Sequence, residues 1–589
     1  EGVRAARDGF SADELTRAKA AVAVPYDHSY AERDRWTSEE QAAAFVDVAR
    51  NGGQLSEQQF LHDQAMLLLG TGTTAVSSAE VTACARHWAD ETRWIMIVGL
   101  PRVRDAGTSG IGTFEMRTIA DSIARTRTVA SAGRSTPAPV RVAKTAGEDS
   151  LLVRVPPVPG RVVRDSTIPG TGVRVWTLSN GVRVLFKPTP FDPDEVMIQA
   201  RAPGGTSLAA DSEYPSVQLV PVFFQSSGVG GYSSAGIRQR LAGTRVALTV
   251  NVAADFETIL AAGAPRDAAL ILQLLHAEFR TPRFDSAMEA SVLSQVRAAL
   301  TGAPMQFQGA QQAANSNGNP HGRPPTVAMV DSAHAAVALA FWRARLANAS
   351  SWTFYIVGAF NPDSLKPLVE RYLGSLPAGQ PERWHDWKVS PPAGIGRIGL
   401  PFGQPGQAIV HLSYVQPVSN LDRESSVALG VVALVLERRL RTRLREELGG
   451  TYAPQVTSWS ERWPTARAAL DVQFDATPER AEALTQATLA VIDTVRTHGP
   501  TDVELREVVE GMRQTALAAR STNAAWLPLL LEFDWNGWPM DAGMSDPGPV
   551  LARMTPALVQ SAAKTVLNPN QYMVFTVTPY AGASAGTGR

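Results

Sequence analysis

Apolar residues recur along the chain with two spacings, every second position in short segments and every third or fourth position in longer ones. Residues 177–186 alternate in this way around an Asn-Gly dipeptide, a combination typical of two strands joined by a tight turn. The same alternation predicts further strands over residues 196–200 and 408–415. An amphipathic pattern over residues 421–447, which ends at a Gly-Gly pair, predicts a long helix followed by another strand.

Several of these elements are repeated along the chain. Residues 9–15 and 499–505 each carry a glycine, then a serine or threonine, and a glutamate three positions after that hydroxyl residue. This arrangement is the capping box that opens a helix. Apolar strands that begin with an aromatic residue recur at residues 94–98, 352–357 and 572–575.

The repetition predicts three related units that end near residues 130, 388 and 589. Strands that alternate with helical segments in this way predict an α+β fold class, in which each unit has a mainly antiparallel sheet with helices packed on one face. After the first unit, residues 131–170 contain six prolines and no aromatic residue, so we expect an extended linker there. The predicted organisation is therefore 1–130, the linker 131–170, 171–388 and 389–589.

The composition excludes several classes of protein. Of the 589 residues, 44% are hydrophobic and 19% are charged, and the net charge is −1, so nothing favours nucleic acid or an anionic membrane as a partner. No segment reaches the roughly 20 uncharged apolar residues that a membrane helix needs. The only cysteine, Cys84, excludes an internal disulfide and a thiolate metal cluster, and its apolar helical surroundings predict a packing role. The chain begins at Glu1 without a methionine, so we expect its start to be a cut edge.

The residues with the clearest chemical potential are Arg445 and Tyr452. The predicted helix ends and the next strand begins between them, so a guanidinium and a phenol can converge as donors to a peptide carbonyl or an oxyanion. Two structural roles compete with this one. An arginine in a last helical turn often interacts with the helix dipole, and a tyrosine that opens a strand often packs in a core. On spacing alone, both interpretations stay open.

Other candidate motifs favour structural roles. The glycine-rich residues 226–232 are not followed by the Lys-Ser/Thr of a phosphate-binding loop, so we expect a loop between helices. Residues 302–325 are amide-rich and contain few strong structure formers, so we expect a long loop in which His321 is solvated. A late aromatic cluster should pack between helices; it comprises Trp526, Phe533, Trp535 and Trp538.

Taken together, several segments resemble the pitrilysin/insulinase family of zinc peptidases. The segments that carry the resemblance are residues 9–15, 178–184, 352–377, Arg445 through Tyr452, and Asn523 with Trp526. The resemblance implies four homologous domains, two in each half, that close around an unfolded peptide. On this map residues 1–130 are most of the second domain without its start, 171–388 are the third domain and 389–589 are the fourth.

The resemblance also implies where the metal chemistry lies. Members of the family hold zinc with an H-x-x-E-H motif on a helix of the first domain and with a later glutamate. The nine histidines of this chain include no pair four residues apart, and the corresponding helix of the third domain, near residues 216–225, contains no His, Asp or Glu. We therefore expect the third domain to be metal-free, and zinc and the general base to lie on a first domain outside this chain. The chain alone should be inactive.

In the family, an arginine and a tyrosine seven residues later reach from the fourth domain to the zinc site, and Arg445 and Tyr452 match this spacing. The implied roles are hydrogen-bond donation by Tyr452 to the scissile carbonyl as it becomes an oxyanion, and anchoring of the substrate backbone by Arg445.

The implied partners are a peptide or unfolded polypeptide, bound as an added strand, and an N-terminal half, joined covalently or present as a separate chain. Neither nucleic acid nor a membrane is an expected partner. We expect a bacterial enzyme of the periplasm, with the cytoplasm as the alternative. The second functional hypothesis is a non-catalytic scaffold or peptide-binding subunit of a related assembly.

Overall fold

The computed structural model describes most of the chain after residue 151 and part of the chain before it. The described residues are 9–31, 58–70, 74–88 and 152–579, apart from 404–405, 420 and 450–452, together with the single positions 41, 42, 46 and 50. They fall into two compact units. The first unit comprises residues 9–20, 63–70 and 74–88, and the second comprises the remaining described residues.

Three helices carry the described N-terminal residues: α1 (Ala12–Ala31), α2 (Gln58–Leu69) and α3 (Ser78–Trp88). The capping box predicted at the start of α1 is confirmed. The Glu14 N–H donates to Ser11 Oγ at 3.2 Å, and the Ser11 N–H donates to Glu14 Oε2 at 2.8 Å. Cys84 on α3 is exposed, so the packing role expected for it is wrong, whereas Thr82 of the same helix is buried. The strand predicted over residues 94–98 lies outside the described residues.

The second unit contains a seven-stranded sheet in the order β1-β2-β3-β7-β4-β6-β5. Its strands are β1 (Val162–Ile168), β2 (Val173–Leu178), β3 (Arg183–Pro188), β4 (Val196–Pro203), β5 (Ala247–Val252), β6 (Phe256–Gly263) and β7 (Thr353–Gly358). Only β3 and β7 pair in parallel; the other neighbours are antiparallel. The predicted Asn-Gly hairpin is confirmed between β2 and β3, where Gly181 has φ +86°, a value that favours glycine.

A five-stranded sheet follows, in the order β10-β11-β9-β12-β8. Its strands are β8 (Ile395–Gly403), β9 (Ala408–Pro417), β10 (Gln455–Glu461), β11 (Arg467–Ala476) and β12 (Tyr572–Pro579). Here β8 and β12 are the parallel pair, and the other neighbours are antiparallel. The order β8-β12-β9-β11-β10 repeats the order β3-β7-β4-β6-β5 with the same pair directions. The predicted α+β class with mainly antiparallel sheets is therefore confirmed.

The helices after residue 152 all lie between these strands in the chain. They are α4 (Tyr214–Val217), α5 (Val220–Gln225), α6 (Ser234–Leu241), α7 (Ala268–Arg280), α8 (Glu289–Leu300), α9 (Ala303–Asn315), α10 (Val327–Asp331), α11 (Ala335–Leu346), α12 (Pro362–Tyr372), α13 (Arg423–Leu440), α14 (Ala481–His498), α15 (Asp502–Ala519), α16 (Asn523–Asn536), α17 (Ala542–Ser545), α18 (Gly548–Leu551) and α19 (Pro556–Val566). No described helix has the length and apolar content needed to cross a bilayer.

Two segment predictions have different outcomes. The glycine-rich residues 226–232 form the predicted connection between α5 and α6. The long loop expected over residues 302–325 is wrong in its first half, because α9 occupies Ala303–Asn315. Its alanines, glutamines and methionine are adequate helix formers, and the amide-rich composition obscured that propensity.

Each sheet has its own core on one face. In the seven-stranded sheet, Trp176, Phe354 and Ile356 are fully buried in the core that this sheet shares with its helices. In the five-stranded sheet, residues such as Leu412 and Leu470 pack in a second core that includes α13. The two sheets are therefore separate layers built by the same topology.

A third apolar cluster covers the opposite face of the seven-stranded sheet. Helix α16, which lies in the chain between β11 and β12 of the five-stranded sheet, places Leu530 and Phe533 against Leu185 and Tyr355. The Tyr355 hydroxyl donates to Asp534 Oδ2 at 2.6 Å. The packing role predicted for the late aromatic cluster is thus confirmed for the buried Trp526, Phe533 and Trp538, and Trp535 packs edge-on against Trp463 at 4.6 Å.

The domain boundaries remain a prediction. The two sheets lie within residues 171–388 and 389–589, except that β1 (Val162–Ile168) forms the outermost strand of the larger sheet inside the segment 131–170 predicted as a linker. Residues 131–151 of that segment lie outside the described residues.

Candidate functional site

The helix that carries Arg445 changes its winding before it ends. Helix α13 begins after Asp422, whose carboxylate accepts a hydrogen bond from the Ser425 N–H at 2.8 Å. The chain then continues as a wider π-helical segment over Arg441–Glu447, a departure that is frequent at functional sites. Buried Leu440 and Leu444 hold this segment on the core. The helix predicted over residues 421–447 is therefore confirmed.

Arg445 lies on the exposed side of the π-helical segment. Its carbonyl accepts the Gly449 N–H at 3.0 Å, and Gly449 has φ +57°, as is usual for a glycine that ends a helix. Arg480 donates to the Leu448 and Gly449 carbonyls at 2.7 and 3.1 Å. Arg480 therefore satisfies the last carbonyls of the helix. This is the helix-end role that was the structural alternative to a functional role for Arg445, and here a different arginine performs it.

Ion pairs fix the orientation of α13 relative to α15. Arg439 binds Glu504 with two hydrogen bonds of 2.8 and 2.7 Å, while Glu504 also completes the predicted capping box with Thr501. The Arg439 guanidinium, together with these capping bonds, lowers the pKa of Glu504 to about 2. The end of α13 that precedes the π-helical segment is therefore held in place by an ion pair that stays charged at neutral pH.

Tyr452 lies outside the described residues, as do Gly450 and Thr451. The convergence of Arg445 and Tyr452 therefore stays a prediction. Three positions after Tyr452 the chain enters β10, which is the edge strand of the five-stranded sheet and pairs only with β11 among the described strands. A tyrosine at this place precedes a strand whose outer side is open among the described strands.

The region that corresponds to the family's metal helix is a packed pair of short helices. Val217, Val220 and Phe223 of α4 and α5 are buried, and Ser216 Oγ accepts the His334 N–H at 2.9 Å. Within the described residues, no group of three or more His, Cys, Asp or Glu side chains could hold a metal ion. The donor set on the described part of the chain does not fit zinc.

Asn523 and Trp526, which contribute to the family resemblance, join α16 to the larger sheet. Asn523 Nδ2 donates to Glu195 Oε2 at 3.0 Å, and the Asn523 side chain also bonds Thr189. The Lys187 ammonium lies 4.2 Å from the centre of the Trp526 ring, and burial lowers the pKa of Lys187. These contacts give both residues a structural role.

A cavity of about 870 Å³ lies between the two sheets. Its lining residues include Tyr214, Gln218, Asn315, His321, Trp384, Trp387, Val415, Trp459 and Arg467. Sequence reasoning missed this cavity because its wall is assembled from segments far apart in the chain. The run Trp384-His385-Asp386-Trp387 was the available signal, since two tryptophans so close together in a connecting segment need a surface on which to pack.

The prediction of a solvated His321 is wrong. Its side chain is only 3% exposed, and Nε2 lies 2.8 Å from Asp211 Oδ1. The imidazole stacks on the Trp387 ring with centroids 3.7 Å apart, while the Tyr214 hydroxyl donates to the His321 carbonyl at 2.6 Å. Trp387 and Tyr214 therefore enclose His321. The polar residues next to it in the sequence had led to the prediction of an exposed side chain.

The comparisons with known proteins agree with the fold. Residues 339–512 match the family model described as "Peptidase M16 inactive domain". The chain is 23% identical over 411 residues to "Zinc protease PQQL-like" of Arabidopsis thaliana, covering 64% of this chain and 39% of that protein. It is 23% identical over 344 residues to "Probable zinc protease PqqL" of Haemophilus influenzae, covering 56% of this chain and 36% of that protein. The chain thus spans less than two fifths of the length of these curated relatives.

A solved structure shows a similar fold over nearly the whole chain. The periplasmic protease PqqL from Escherichia coli has a TM-score of 0.65 at 16% identity, with 98% of this chain and 62% of that chain covered. At this identity the match shows a shared fold. The family match over residues 339–512, the curated relatives and the shared fold together support the resemblance of this chain to the C-terminal portion of a pitrilysin/insulinase-family peptidase, peptidase family M16.

Proposed function

We propose that the chain is the C-terminal portion of a zinc-dependent endopeptidase that encloses and cleaves unfolded peptides. In this proposal Arg445 and Tyr452 act on the substrate, and zinc is bound by a domain outside this chain. The observation that carries the proposal is the match of residues 339–512 to the family's inactive domain. That range contains Arg445 and Tyr452, one on each side of a glycine-terminated helix end.

The chemistry divides between the two parts of the enzyme. Zinc would supply an activated water and polarise the scissile carbonyl. Tyr452 donates its O–H to that carbonyl oxygen as negative charge develops, and Arg445 holds a neighbouring substrate carbonyl. Donors of this kind stabilise the transition state more than the ground state when they are positioned before the reaction. The Arg480 bonds to the Leu448 and Gly449 carbonyls hold the helix end that carries Arg445, which supports the proposal.

The proposal includes the substrate's binding mode, the partner and the location. An extended peptide adds to a sheet edge through main-chain hydrogen bonds, which gives affinity with loose side-chain specificity. The partner is the half that carries the zinc site, joined covalently or present as a second chain. The location is the bacterial periplasm, which the similarity to a periplasmic protease supports.

The first test separates the chain from its partner. The purified chain should hold no stoichiometric zinc by elemental analysis and should not hydrolyse an unstructured fluorogenic peptide, because the described residues offer no zinc donor set. Addition of the zinc-bearing half should restore hydrolysis. One zinc per chain together with peptide hydrolysis by the chain alone would contradict the proposal.

The second candidate function is a non-catalytic scaffold or peptide-binding subunit. The description of the matching family model as an inactive domain favours it. It predicts that the natural assembly binds unfolded peptide but contains no zinc and does not hydrolyse that peptide. Zinc content and hydrolysis, measured on the same purified assembly, therefore decide between the two functions.

A further inference from the structure

The cavity between the two sheets has an aromatic wall. Trp384 and Trp387 contribute from the segment after α12, and Trp459 contributes from β10. The Trp459 residue is 42% exposed, although indole is the largest apolar side chain. The cavity volume of about 870 Å³ falls in the range of roughly 300–1,000 Å³ that is usual for ligand pockets. Exposed apolar surface in a concave site of this size indicates a ligand.

Part of the wall is held in place before any ligand binds. Trp387 stacks on His321 with an interplanar angle of 7°, and its Nε1 donates to the Ser207 carbonyl at 2.8 Å. Trp384 packs against Trp463 with ring centroids 6.2 Å apart. A ligand side chain that enters therefore meets indole surfaces that are already ordered, which lowers the entropy cost of binding.

The polar groups of the wall favour a ligand that brings hydrogen-bond donors. Gln218 Oε1 and Asn315 Oδ1 are buried and have no hydrogen-bond partner among the described residues. An unpaired buried acceptor costs free energy, so a ligand N–H group towards which the Gln218 or Asn315 side chain turns would be stabilised. Peptide main chains carry such donors at every residue except proline.

The charges of the wall argue against an anionic ligand. The wall contains one arginine and one lysine, and both are paired. Arg467 donates to Glu461 at 2.9 Å, and Lys388 binds Asp386. Asp255 adds a carboxylate to the wall; burial and the nearby Glu461 raise its pKa to about 6, so it is charged at neutral pH. A phosphate-bearing ligand would meet this carboxylate and find both basic groups already engaged.

The cavity is continuous with the strand that follows Tyr452. Trp459 lies four residues along β10 from Gln455, a distance of about 13 Å at roughly 3.3 Å per residue. Gln455, Thr457 and Trp459 alternate onto the same face of the sheet. A peptide paired with the outer edge of β10 would therefore run from the start of that strand towards the aromatic wall.

We propose that this cavity is a side-chain subsite for the peptide substrate. It takes one aromatic or large aliphatic side chain of an extended peptide that pairs with β10, several residues from the bond to be cleaved. The inference rests on the proposed function for the identity of the ligand as a peptide. It adds a preference for a large apolar residue at a fixed distance from the scissile bond.

Equilibrium binding by the full chain tests the subsite without any hydrolysis. Two uncharged, unstructured peptides that differ only by one tryptophan or one glycine are titrated by calorimetry into the wild type and into Trp459→Ala. The wild type should bind the tryptophan peptide at least about tenfold more tightly, since buried aromatic anchors dominate such interfaces. Trp459→Ala should lose that preference, whereas Trp459→Phe should keep most of it.

Leu517→Ala is the control, because Leu517 is 38% exposed on α15 and does not line the cavity; it should bind like the wild type. Circular dichroism confirms that each variant is folded. Equal affinity of the wild type for both peptides, no binding of either, or an unchanged preference in Trp459→Ala would overturn the subsite. Failure of the proposed function appears elsewhere, as an absence of zinc-dependent hydrolysis in the assembled enzyme.

Discussion

The two sheets of this protein share a strand order but differ in what covers their second face. In the seven-stranded sheet that face carries apolar residues such as Leu185 and Val357, and α16 buries them. In the five-stranded sheet the corresponding face is covered only in part: Phe307 of α9 packs on His411 and Phe575, whereas Thr457 of the edge strand β10 is exposed. Trp459, Val415 and Arg467 of the same face line the cavity.

The difference shows how one topology serves two purposes. A sheet with both faces covered has continuous apolar strands, as in residues 354–357 of β7, and its role is structural. A sheet whose second face is covered only in part keeps the remainder of that face available for a ligand. In this repeat the seven-stranded sheet has a structural role, and the five-stranded sheet provides a surface that can bind a ligand. The edge strand β10 and the predicted Arg445/Tyr452 pair belong to the second repeat.

The largest expected effect comes from breaking the covered face. Phe533→Ala should lower the free energy of unfolding by about 3–5 kcal/mol, because a fully enclosed ring leaves a cavity in the core. Phe533 is 1% exposed in the cluster that joins α16 to the seven-stranded sheet. Urea unfolding followed by circular dichroism measures the change.

Thr457→Ala on the open face is the matched control for Phe533→Ala. It should change the free energy of unfolding by no more than about 0.5 kcal/mol, as is usual for surface positions. Similar losses for the two variants would show that the second faces do not differ as described.

A smaller effect concerns a buried glutamate behind the covered sheet. Glu278 accepts a hydrogen bond from Trp342 Nε1 at 2.7 Å, and burial raises its pKa to about 7, above the ordinary value of 4.5. Between pH 4.5 and 7 the folded state holds a proton that the unfolded state releases, so the free energy of unfolding falls as the pH rises. Glu278→Gln should therefore match the wild type near pH 4.5 and exceed it by up to about 3 kcal/mol at pH 8.

Glu257 supplies the contrast for the Glu278 experiment. Burial raises its pKa to about 7 as well, but Arg345 binds it with a hydrogen bond of 2.7 Å. Glu257→Gln leaves the buried Arg345 guanidinium with Glu382 as its remaining carboxylate partner and should destabilise the protein at pH 8. Urea midpoints of both variants at pH 5 and pH 8 test the distinction, and equal pH slopes for Glu278→Gln and the wild type would contradict it.

The sequence predicted the elements whose signals are local. The hairpin between β2 and β3 follows from an Asn-Gly turn, and the capping box at Thr501 follows from a glutamate three residues later. Features that depend on distant contacts were missed or wrong. His321 is buried because Trp387, 66 positions later, stacks on it, and no local pattern encodes such a contact.

In the candidate site, too, the sequence predicted the local elements and missed the contacts between distant segments. The helix that carries Arg445 and the glycine turn after it were evident from periodicity and from the Gly-Gly pair. The role of Arg480 at the Leu448 and Gly449 carbonyls was not, since the two segments are joined only by folding. The aromatic cavity required both sheets in place, because its wall combines β10 with the segment after α12.

The most direct test of the account is the hydroxyl of Tyr452. In the enzyme assembled with its zinc-bearing half, Tyr452→Phe keeps the ring and removes the donor, and Tyr232→Phe, at a half-buried tyrosine of the loop between α5 and α6, is the matched control. The account predicts that kcat/KM for an unstructured peptide falls by about 10²–10³ in Tyr452→Phe and is unchanged in Tyr232→Phe, with equal zinc content in both. Full activity of a folded, zinc-loaded Tyr452→Phe enzyme would contradict the claim that this chain stabilises the transition state.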